Sequence, residues 1–176
     1  GVTLLANGAL YLSLLFGWFY LWTVSPQWQV PESQLNGWLM FASTLLLSAG
    51  TLWLHRLIKR LRAGTHHGLM AQLAWLGLLA LAQSVMLLWL MLSAGLAPTE
   101  TAHDAVVFVM LAYSVIHCTL AAVLTGLQAW RVALGYVGDK APYEPVVVEQ
   151  LWYYNLGVLW VSYAAIVLFP ATWGGA

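Results

Sequence analysis

The chain has 176 residues, 62% of them hydrophobic and 7% charged, and its mean hydropathy is +0.80. Soluble domains carry roughly 25% charged side chains, so six basic and six acidic residues cannot solvate a globular surface of this size. Zero net charge argues against electrostatic capture of nucleic acid, and a single cysteine, Cys118, excludes an internal disulfide and a thiolate metal cluster.

The charges divide the chain into long uncharged stretches. A helix crossing hydrocarbon about 30 Å thick needs about 20 apolar residues at about 1.5 Å each. The stretches predict spans at Thr3–Val24, Asn36–Ile58, Leu69–Leu96, Ala105–Trp130 and Gln150–Pro170. The expected fold is an all-α membrane protein, a bundle of five transmembrane helices in one domain over residues 1–176. The first span has no basic region before it, which argues against a signal peptide.

The second span leaves the membrane through His55, Arg56, Lys59, Arg60 and Arg62. For His55 two readings stand, snorkelling to the headgroups or contact with a lipid phosphate; the neighbouring cations join it as candidate lipid-binding residues. His66 and His67 read as a solvated interfacial pair in the loop that follows. The third span runs Leu73 to Ala82 without the alternation a membrane strand would need. The next loop carries Glu100, His103 and Asp104, with His103 read as solvated.

His117 stands mid-span in the fourth helix beside Tyr113, Ser114 and Cys118. With no acidic or second histidine partner in view, it reads as a hydrogen-bonded packing residue rather than a metal ligand. Asp, Glu, Lys and Arg are absent from mid-membrane depth in all five predicted spans. Small residues such as Gly8, Gly17, Ser43, Ser48, Gly50, Ala112 and Ala121 would let helices approach closely.

All six Lys and Arg fall in two loops, Arg56 to Arg62 and Arg131 to Lys140, while the other two loops hold Glu32, Glu100 and Asp104. The positive-inside rule then predicts a cytoplasmic N-terminus and an outside C-terminus. Trp22, Trp28, Trp130 and Trp173 lie where interfacial aromatic belts would be. These features describe a non-catalytic helical module that packs against something else.

Four segments resemble a known family. The first is Asn7-Gly8-Ala9-Leu10-Tyr11 through Phe16-Gly17-Trp18-Phe19-Tyr20 to Pro26, Trp28 and Pro31. The second, Asn36 followed by Leu45-Leu46-Leu47-Ser48-Ala49-Gly50-Thr51-Leu52-Trp53-Leu54-His55, is the most specific. The third is Ala112-Tyr113-Ser114-Val115-Ile116-His117, and the fourth Leu151-Trp152-Tyr153-Tyr154-Asn155 with Trp160 and Tyr163; Gln83 adds a fifth point. Together they resemble subunit III of haem–copper respiratory oxidases of the cytochrome c and quinol types, in its five-helix form. A subunit III domain fused to subunit I is also similar.

The departures fall on ionisable positions. Asn7 stands where the family has a buried glutamate, Met86 and Leu87 where it has a Glu-Tyr pair, and Tyr154 and Gly157 where it has a histidine and an aspartate. The resemblance implies an accessory subunit without haem, copper or other cofactor of its own. It would pack on subunit I near subunit II and bind phospholipid in a bacterial inner membrane. The partner subunits would hold haem and copper and pass electrons from cytochrome c or quinol to O2 while driving protons outward. Asn7, Gln83, His117, Trp152 and Trp160 would be packing positions, with no catalytic or metal residue in this chain. A subunit III-like component of a nitric oxide reductase, or a small transporter or scaffold, remains as an alternative.

Overall fold

The computed structural model describes residues 2–24, 35–63, 68–136 and 144–170. Its helices are α1 (Val2–Val24), α2 (Gly37–Arg62), α3 (Leu69–Ser93), α4 (Ala102–Ala133) and α5 (Glu144–Tyr163), and a π-helical turn, Ala164–Leu168, extends α5. The described residues contain no strand. Trp28, Glu32, His66, His67, Lys140 and Trp173 lie outside the described residues.

The five apolar segments hold 23, 26, 25, 32 and 24 residues. At about 1.5 Å per residue the shortest reaches about 35 Å, so all five are long and apolar enough to cross hydrocarbon.

Local chemistry sets the helix ends. Asn36 caps α2, its side-chain oxygen accepting the Leu39 N–H at 3.1 Å. Thr101 does the same for α4 through the Asp104 N–H at 3.1 Å, so α4 begins before the predicted Ala105. Gly95, at φ +62°, turns the chain away after α3, which ends at Ser93 rather than Leu96. Helix α5 starts at Glu144, ahead of the predicted Gln150, because Pro145 is tolerated in a first turn and Glu149 does not interrupt a helix.

Helices α3 and α5 run antiparallel to α2, as the contacts show. Ser43, Gly50 and Trp53 of α2 meet Gln83, Leu79 and Gln72 of α3 in turn. Along the α2–α5 seam, Phe41 faces Tyr163, Ser48 faces Trp160, Gly50 faces Trp152 and His55 faces Glu149. Helices α3 and α4 form the closest seam: a Cβ on Gly77 would lie 3.5 Å from the Gly126 backbone nitrogen. Helix α1 runs parallel to α5, since Tyr11 meets Val158 and Ser162 while Trp18 and Trp22 meet Phe169. It is peripheral, with only Tyr11 and Trp18 buried.

Gly50 is the tightest small residue, because a Cβ there would sit 2.7 Å from the Trp152 ring. Trp152 is fully buried and its indole is held by Thr125, so the ring has little freedom to retreat. Gly50→Ala should therefore destabilise the bundle by about 1–3 kcal/mol. Gly157→Ala is the control, as a Cβ there meets nothing within 4 Å. Thermal unfolding in nanodiscs should show a lower Tm for the first variant only; equal Tm values would mean that the α2–α5 seam yields.

Candidate functional site

A network of hydrogen-bonded polar groups lies between α1, α4 and α5. Tyr113 and His117 are one turn apart on α4 and so share a face. Their rings stack with centroids 4.0 Å apart. The His117 Nδ1 lies 2.9 Å from the Tyr113 carbonyl oxygen, and because that oxygen only accepts, Nδ1 carries the proton.

From Tyr113 the network spreads to both neighbours. Its hydroxyl donates to the Asn7 carbonyl of α1 at 3.1 Å and so accepts from the Tyr154 hydroxyl of α5 at 2.5 Å. Asn155, beside Tyr154, donates its Nδ2 to the His117 carbonyl at 3.0 Å. Further along, Tyr11 donates to the Val158 carbonyl at 3.0 Å and accepts from Ser162 at 2.6 Å. Tyr154, Val158 and Ser162 recur every fourth residue, so one face of α5 carries all three.

Two of the candidate positions, Asn7 and His117, thus meet here. Asn7 takes part through its backbone, for its side chain donates to the Thr3 carbonyl at 3.0 Å. The others lie on separate seams. Gln83 is fully buried and donates to Ser43 across α2–α3. Trp152 donates to Thr125 across α4–α5 at 3.0 Å, and Trp160 to Ser48 across α2–α5 at 3.2 Å.

At the end of α2, His55 turns toward α5. Its Nδ1 lies 2.5 Å from the Glu149 carboxylate, and the side chains are 35% and 12% exposed. Tyr153 presents its ring edge to His55 with centroids 6.1 Å apart. Arg56, Lys59 and Arg60 are exposed along the last turns of α2.

The reading of His103 as a solvated loop residue is corrected: it is 4% exposed, in the first turn of α4. Its Nδ1 is 3.1 Å from one oxygen of Asp104, whose other oxygen accepts the Ala97 N–H at 3.1 Å. Because α4 begins at Ala102, the residues assigned to a loop fold back onto the bundle.

The described residues hold no group of three His, Cys, Asp or Glu side chains placed for a metal. Cys118 is buried and unbridged. Tyr11, Tyr154, Ser162 and Glu149 belong to the sites although the sequence did not single them out as such. The eight-residue spacing of Tyr154 and Ser162 on α5, which puts both hydroxyls on one face, was the available signal for those two. No protein-family model matches this chain, and no curated protein matches it.

Tyr113→Phe deprives both the Asn7 carbonyl and the Tyr154 hydroxyl of a partner. The expected loss is about 1 kcal/mol, within the range for interhelical hydrogen bonds in bilayers. Adding Tyr154→Phe should cost less than the sum of the single changes. Strict additivity in denaturant unfolding would disprove the link between the hydroxyls.

Proposed function

We propose that this chain is an accessory, non-redox subunit of a respiratory haem–copper terminal oxidase, similar to subunit III. In this reading it is a multi-pass protein of a bacterial inner membrane, with a cytoplasmic N-terminus and an outside C-terminus. One observation carries it: Asn7, His117 and Tyr154, motif positions on three separate helices, lie in one seam. Gln83, Trp152 and Trp160 support it by tying other helix pairs.

The hydrogen bonds at these positions join helices of this chain, which supports a packing role. Apolar outer faces would rest against subunit I, near subunit II, and electrons from cytochrome c or quinol would travel only in those partners. Arg56, Lys59 and Arg60 would meet phospholipid phosphates, each contributing about 1 kcal/mol near an anionic surface. His55 takes a smaller share in this, since Glu149 already engages it.

Purification of the tagged protein from native membranes in mild detergent tests the proposal. A haem-bearing partner should co-elute and give the visible spectrum, and the dissociated chain should show no haem absorbance. Elution without any haem protein would sink the proposal.

A further inference from the structure

Hydrogen bonding in the seam between α1, α4 and α5 is unbalanced in one direction. The hydroxyl protons of Tyr11, Tyr113, Tyr154 and Ser162 all have acceptors. Two acceptors have no donor. Asn155 is 2% exposed, and its Nδ2 donates to the His117 carbonyl. That bond fixes the amide, because the flipped orientation would set two carbonyl oxygens against each other. The Asn155 Oδ1 is then buried without a partner.

His117 offers a second acceptor, one that is less completely enclosed. With Nδ1 donating to the Tyr113 carbonyl, Nε2 of the neutral ring is an acceptor, and no described residue donates to it. The residue is 8% exposed. Tyr154, whose ring centroid lies 5.8 Å from that of His117, is only partly buried, as is Asn7 on the far side of Tyr113. An unmet acceptor in a dry interior costs about 1–3 kcal/mol, and native structures relieve such groups with ordered water or another polar partner.

We infer that this seam binds one O–H donor from outside the polypeptide, held at His117 Nε2. The recognised chemistry is a hydroxyl proton, supplied by a water molecule or by a small membrane-dissolved alcohol or phenol. Ketones and ethers, which only accept, do not fit. The inference is independent of the oxidase reading, since it rests on the hydrogen-bond balance alone.

Solid-state NMR of the complete, folded protein in lipid bilayers tests it, with 15N-histidine and carbonyl-13C tyrosine. The 2.9 Å contact between Nδ1 and the Tyr113 carbonyl identifies the His117 signals. Nδ1 should be protonated, and the Nε2 resonance should be displaced from its unbonded position. In one arm, magnetisation transfer from water protons to Nε2 identifies water as the donor. In the other, 4-heptylphenol should shift Nε2 while 4-heptylanisole, its methyl ether, should not; this outcome identifies the dissolved hydroxyl. A protonated Nε2 overturns the inference, as does an unbonded Nε2 in both arms. Equal shifts with phenol and ether overturn it too, and so does a bonded Nε2 that responds in neither arm, which would place the donor in the polypeptide.

Discussion

A polar group removed from water must find its hydrogen-bond partner within the protein, and most of this bundle follows from that requirement. The backbone meets it by forming helices over every apolar stretch. The side chains meet it by bonding across the seams: Gln83 to Ser43, Ser84 to Thr119, Trp152 to Thr125, Tyr113 to Tyr154. Each such bond is worth only about 0.6 kcal/mol on average in a bilayer. Their larger effect is on register, because leucine-rich faces pack in many alignments while a donor must meet one acceptor.

Small residues decide how near the helices come. Gly77 lets α3 approach the α4 backbone, and Gly50 makes room for the Trp152 ring. Helix α1 has no comparable seam and depends instead on aromatic contacts with Phe169 and on the hydroxyls of Tyr11 and Tyr113. Its attachment is thus polar at mid-length and aromatic toward its far end. The π-helical turn just after Ser162 lies between these two attachments.

The helical stretches were legible because a run such as Leu73 to Ala82 offers hydrocarbon-compatible side chains on every face. Helix ends were less so. Charged residues were read as boundaries, yet α5 continues past Glu149 because that carboxylate has His55 to meet. His103 was misread for the same reason: in sequence it stands among loop charges, whereas a buried Asp104 lies within hydrogen-bond distance of it. Asn7, Gln83, His117, Trp152 and Trp160 were picked out one by one. Nothing in the order of residues said that Tyr11 would face Ser162, far along the chain.

What the residues alone determined is the kind of structure: five long apolar helices, short polar connections and no Asp, Glu, Lys or Arg at mid-span. Those properties depend on local composition and on hydrogen bonds within a few residues. The tertiary structure decided which helices adjoin and which polar groups are spent on one another. It also left His117 and Asn155 with acceptors unmet. Partner choice of that kind depends on where distant side chains end up in space, and spacing along the chain does not encode it.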